Sequence, residues 1–131
     1  AVYYIQYAHA RVNRMVDVKA PEKGISFDRS KAADYDATLL TLDAETEILA
    51  KLAAYPEIVL RAANSYEPHQ VGNYLKELAA LFHGWYNLDN TRIIDEQNIA
   101  LSQARLLLSI NVQQVLRNGL ELLGVSAPET M

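Results

Sequence analysis

Near the start of the chain, Tyr4, Tyr7, Arg11 and Arg14 recur at spacings of three and four. On a helix such residues share one face, so flat phenol rings stand beside guanidinium groups. Rings flanked by cations are suited to holding unstacked bases of single-stranded nucleic acid. Ile5, Ala8, Val12 and Met15 form an adjacent apolar stripe. That stripe suffices to anchor the helix to a core, which leaves the ring-and-cation stripe without a packing duty. The plainer alternative is that these tyrosines pack at the edge of a core with their hydroxyls in water.

A second group of the same kind lies at His83, Trp85, Tyr86 and Asn87. Trp85 continues an apolar stripe and is expected inside. Tyr86 is one step round, about 100° away on a helix, at the rim beside His83 and Asn87. A ring, an imidazole and an amide at one helix end suit stacking plus hydrogen bonding to a base edge. A solvated polar face is the plainer alternative for His83.

Other chemistry is poorly served. His9, His69 and His83 fit no metal-ligand spacing, and there is no cysteine to assist them. No glycine-rich loop cradles a phosphate. Ser65 and Ser109 lack the surroundings of an activated nucleophile. Carboxylate pairs such as Asp43 with Glu47 read as capping and solvated charges. No catalytic residue, metal site or cofactor site is therefore expected in this stretch.

The elements that must position the rings are helices. The chain has 131 residues, half of them hydrophobic, which fits one domain with one substantial core. No apolar run is long enough to span a bilayer and no signal-peptide pattern opens the chain. The absence of cysteine suits a reducing compartment, and a cytoplasmic location is expected. The chain begins at Ala1 with helical pattern already running, which reads as a piece of a longer protein. A net charge of −4 argues against general charge-driven nucleic-acid binding. It leaves room for a local site, because Arg11, Arg14, Lys19 and Lys23 cluster early while Asp34, Asp36, Asp43, Glu45 and Glu47 lie further on.

The periodicity predicts an all-α bundle of about five helices. The first covers residues 3–18. Pro21 and Gly24 then punctuate a stretch, 19–42, read as a surface loop with at most one short turn and the most mobile part of the chain. Asp43 serves as N-cap for a second helix, 44–54. Pro56 opens a third, ending near Asn64, and Pro68 opens a fourth, ending near Asn87. In the fourth, Val71, Leu75, Leu78, Phe82 and Trp85 follow at spacings of four, three, four and three. The run 87–90 reads as a turn. A fifth helix from about Asp95 to Leu123 is apolar nearly all round and so is central, with Gly124 as its left-handed cap. Nothing reads as a strand.

Three segments together resemble the C-terminal anticodon-binding domain of arginyl-tRNA synthetases, the DALR type. They are Tyr4-Ile5-Gln6-Tyr7-Ala8-His9-Ala10-Arg11; Glu67-Pro68-His69-Gln70 through Tyr74-Leu75-Lys76-Glu77-Leu78-Ala79 to Trp85-Tyr86-Asn87; and Ala104-Arg105-Leu106-Leu107-Leu108 through Val115-Leu116-Arg117-Asn118-Gly119-Leu120 to Pro128-Glu129-Thr130-Met131. They occur in the family's order and span nearly the whole chain, although 19–42 contributes nothing.

The resemblance implies a fold of the class I synthetase anticodon-binding type. It also implies a single tRNA-anticodon-binding domain over 1–131. Its partners would be the anticodon loop of tRNA(Arg) and an upstream catalytic domain of the same chain. ATP would be used there, in the full-length enzyme that joins arginine to its tRNA, while this fragment alone has no catalytic activity. The family's pattern gives Tyr4, Tyr7 and Arg11 as the first helix's contribution. Tyr86 and Met131 match residues that shape the pocket for the middle anticodon base. His83, from its spacing to Tyr86, and Asn87 complete the expected tRNA contacts; the family's contacts after Tyr86 vary, so Asn87 and Asn90 are the weaker candidates. Two other readings stand beside this one: the related domain of another synthetase such as the cysteinyl enzyme, and a helical protein-interaction module.

Overall fold

The first apolar stripe does what its spacing requires. In the computed structural model, which describes residues 2–88 and 92–131, Ile5, Ala8, Val12 and Met15 are all buried. They seat helix α1 (Val2–Arg14) on the core. The helix does not stop at 18. It widens into a π turn (Met15–Lys19), in which the Ala20 N–H reaches back to the Met15 carbonyl, and resumes as the short α2 (Ala20–Glu22). Pro21 has no N–H and its ring would crowd the carbonyl four residues back in a regular helix. The wider turn relieves that crowding, so the proline is carried inside the helix rather than ending it. Gly24, at φ 71°, makes the left-handed stop.

The following segment holds two 3-10 turns, Arg29–Asp34 and Ala37–Leu39, where the sequence suggested at most one. Asp28 and Asp36 cap them by accepting from the backbone N–H two residues on. Ile25 and Leu40 are buried in the core. Between them Phe27 stacks on Tyr35, with ring centres 4.7 Å apart. Arg29 reaches Gln113 at 2.6 Å and Asn13 at 3.0 Å.

Helices α3 (Asp43–Ala53) and α4 (Tyr55–Ser65) follow, with Pro56 in the first turn of α4. Asp43 is the first helical residue rather than the cap. The Leu42 N–H is instead met by Glu45 Oε1 at 3.0 Å. Glu45 is the larger departure, because its carboxylate is fully buried. Its Oε2 accepts from Arg105 Nε at 2.8 Å and from Trp85 Nε1 at 3.2 Å. One acid thus ties three helices together, and a buried charge is tolerable because it is paired and hydrogen-bonded.

Helix α5 (His69–Tyr86) buries its whole predicted stripe, Trp85 included. Helix α6 (Ile99–Leu122) starts later than expected, because Asn98 caps it by accepting from the Leu101 N–H. It is the central helix and packs against α1, α3 and α5. At its crossing with α5, a Cβ on Gly119 would stand 2.5 Å from the Leu75 side chain, so only glycine allows this approach. Gly124, at φ 73°, ends it. Among the described residues the secondary structure is helical throughout, and no helix is long and apolar enough to cross a membrane. Asp89 and Asn90 of the expected turn lie outside the described residues.

Candidate nucleic-acid interface

Packing α1 against the last turn of α5 brings the two ring-bearing segments together. The Tyr4 and Tyr7 rings lie over His83, at centroid distances of 4.9 and 5.6 Å. Arg11 NH1 donates to His83 Nδ1 at 3.1 Å. Its guanidinium carbon sits 3.9 Å from the centre of the Tyr86 ring and 5.2 Å from that of Tyr7. Lys19 Nζ then donates to the Tyr86 hydroxyl at 2.8 Å. Tyr86 is therefore held twice, by a cation on its face and another at its tip. Each ring–cation contact is worth about 0.5–2 kcal/mol, depending on exposure.

His83 is not on the solvated side of α5. It is buried, and since Nδ1 accepts from Arg11 the ring is neutral with its proton on Nε2. Burial, and then the Arg11 charge, hold its pKa below the ordinary value. Nε2 itself finds no hydrogen-bond partner among the described residues.

Beside this array lies a groove of about 330 Å³ walled by Tyr7, Arg11, Arg14, Asp17, Lys19, Tyr86 and the Thr130–Met131 stretch. That size is at the lower end of small-ligand clefts, roughly 300–1,000 Å³. A second hollow of about 450 Å³ shares Met15, Lys19 and Tyr86 with the first and adds Lys23, Arg92, Ile93 and Ile94. Met131 is 51% exposed and Tyr7 41%, so both present surface to solvent.

The structure thus gathers Tyr7, Arg11, Tyr86 and Met131 around one groove. His83 stands behind them as a support. Tyr4 is partly exposed but leans on His83 and does not line the groove, and Asn87 is an exposed helix cap outside it. Asn90 lies outside the described residues. Sequence reasoning counted Arg14 in the ring-and-cation stripe but did not name Asp17 or Lys19 as site residues. Lys19 lies eight residues beyond Arg11, about 80° round on a regular α-helix, and ending the first helix at 18, with the π turn at Met15–Lys19 unforeseen, removed it from view. Among the described residues no group of three His, Cys, Asp or Glu side chains is arranged to hold a metal ion.

The chain belongs to the DALR anticodon binding domain family, whose family model matches residues 5–131. It is 72% identical to the arginine–tRNA ligase of Acinetobacter baumannii (strain AYE), over all of this chain and 21% of that protein. It is 50% identical to the arginine–tRNA ligase of a Psychrobacter species, over all of this chain and 22% of that protein. Among solved structures it resembles Thermus thermophilus arginyl-tRNA synthetase, with a TM-score of 0.81 and 30% identity. That match covers 98% of this chain and 21% of that one. The chain therefore spans about a fifth of the length of these relatives.

Proposed function

We propose that this chain is the anticodon-loop recognition module of an arginine–tRNA ligase, whose remaining length carries the ATP-dependent joining of arginine to its tRNA. The observation that carries the reading is the meeting of Tyr7, Arg11, Tyr86 and Met131 in one groove. These residues come from three distant parts of the sequence, and no local spacing accounts for their meeting. Tyr86 is the principal stacking surface for an unstacked base. Arg11 adds a planar cation on which a base can also stack. Met131 supplies a soft apolar wall, and Arg14 and Lys19 supply cations for the neighbouring phosphates. The parent protein works in translation, for which a cytoplasmic location is expected. Its cognate RNA is tRNA(Arg), in keeping with the names of the relatives, and these also favour the arginyl over the cysteinyl reading.

The test is Tyr86→Ala in the intact ligase. Stacking on a protein ring is worth about 1–3 kcal/mol per base, so kcat/KM for tRNA should fall by roughly 5- to 150-fold. KM for arginine and for ATP should be unchanged. Wild-type tRNA kinetics in this variant would refute the assignment.

A further inference from the structure

The segment that carries Met131 into the groove is fastened to α1 by side chains that add no surface to the groove. After Gly124 turns the chain out of α6, Gln6 Nε2 donates to the Ser126 carbonyl at 2.9 Å. His9 Nδ1 then donates to the Pro128 carbonyl, also at 2.9 Å. On the far side of the same ring, Arg117 Nε of α6 donates to His9 Nε2 at 3.4 Å. His9 is fully buried, and with its proton on Nδ1 both ring nitrogens are satisfied. Three residues beyond Pro128, Met131 lines the same groove as Tyr7 and Tyr86.

We propose that His9, aided by Gln6 and Arg117, is a positioning residue for RNA recognition: it clasps the tail so that Met131 stands in the groove before any ligand arrives. The inference rests on reading the groove as the base-binding site. Its physical basis is entropy. Beyond Val125, whose N–H still bonds to Leu120 O, the tail is outside any helix, and Val125 and Ala127 alone of its apolar side chains pack against the core. An unfastened tail would have to lose its conformational freedom on binding. Fastening it in the unliganded protein removes that cost from the association step. The turn and a half of α1 between Gln6 and Arg11 thereby sets the tail and the ring array in one register.

The experiment is steady-state aminoacylation by the intact protein carrying this chain, as wild type and as His9→Gln, His9→Asn and Gln6→Ala. The Met131 methyl resonance, assigned through Met131→Leu, is followed in parallel. His9→Gln removes the donor at the Nδ1 position, whereas His9→Asn places an amide N–H near it. His9→Gln should raise KM for tRNA by about three- to tenfold, the scale of one hydrogen bond. Its kcat and its KM values for arginine and ATP should stay at wild type, with the Met131 methyl shifted. His9→Asn should recover most of the loss. If His9→Gln does not fold, Gln6→Ala replaces it, with a rise of about two- to fivefold expected. Equal losses in His9→Gln and His9→Asn would overturn the proposal by making His9 a packing residue only. A wild-type tRNA KM in His9→Gln, or in Gln6→Ala where it is the substitute, would also overturn it. If Tyr86→Ala still raises KM in that case, the groove reading survives; if Tyr86→Ala is silent too, both fall.

Discussion

At the scale of single residues, the molecule spends its buried polar groups on fastening. Ser102, Arg105, Ser109 and Gln113 form a polar line along α6, and all four are buried and hydrogen-bonded. The costliest member to disturb is the Glu45–Arg105 pair. Removing one partner leaves an uncompensated buried charge, so Glu45→Ala should destabilise the fold by about 3–5 kcal/mol in urea unfolding. Glu45→Leu combined with Arg105→Met should lie much nearer wild type, because neither charge remains to be solvated. The histidines give a pH signature of definite sign. His9 and His83 are both held below the ordinary imidazole value of 6.5 in the folded state. For His9 the cause is burial, reinforced by Arg117 and Arg29 and opposed by the Pro128 carbonyl and Glu129. For His83 it is burial and then Arg11, opposed by the Tyr4 backbone carbonyl. The unfolded chain therefore takes up protons first as pH falls below about 6.5. Their stabilising contribution is complete above that value and declines until the lowered folded values are reached. The urea midpoint should be lower at pH 5.5 than at 7.5, and the drop should shrink in His83→Gln. An equal midpoint at the two pH values would contradict the account.

At the scale of elements, the helix ends carry most of the local logic. Gly24 and Gly124 stop their helices with the same pair of bonds: Gly24 N–H to Pro21 O with Ile25 N–H to Ala20 O, and Gly124 N–H to Glu121 O with Val125 N–H to Leu120 O. Helix α4 ends by the same pattern, Tyr66 N–H to Ala63 O and Glu67 N–H to Ala62 O. There, however, the left-handed position at φ 55° is held by Tyr66. A non-glycine residue in that conformation costs about 1–2 kcal/mol. The ring is 91% exposed and returns no packing. Part of the gain is offset by the greater freedom of unfolded glycine. Tyr66→Gly should therefore stabilise the fold by about 0.5–1 kcal/mol, read as a raised urea midpoint with an unchanged slope. A lowered midpoint would mean that the ring has a role the geometry does not give it.

At the scale of the whole molecule, an acidic chain presents a groove with a basic wall. The net charge of −4 opposes diffuse attraction to RNA, so recognition has to rest on rings and a few local cations. Arg14, Lys19, Lys23 and Arg92 are the cations at the two adjoining hollows besides Arg11, which sits on the Tyr86 face. Binding of an arginine anticodon stem-loop to this chain should therefore be weak. It should depend on salt with a slope of only about −3 in log K against log salt. Fluorescence anisotropy across a salt series checks this. A slope of about −5 or steeper would indicate a broad electrostatic interface instead.

Periodicity in the sequence was enough for the five long helices and their apolar stripes, though not for where the first ends or the last begins. The stripes from Ile5 to Met15 and from Val71 to Trp85 are local patterns that chain geometry turns directly into a face. Gly124 likewise reads as a cap on its own. Pro21 misled, because a π turn is a tertiary accommodation that leaves no periodic trace. Glu45 misled as well, since its surface-like position hides partners 40 and 60 residues away. Tyr7, Tyr86 and Met131 could be nominated as a set only through family likeness, since no local spacing links them. Their convergence was decided by helix packing and by the clasp of His9 on Pro128, contacts between residues far apart in the chain. A one-dimensional pattern records which side of a helix is apolar, and only the packed bundle determines which polar side chains then meet.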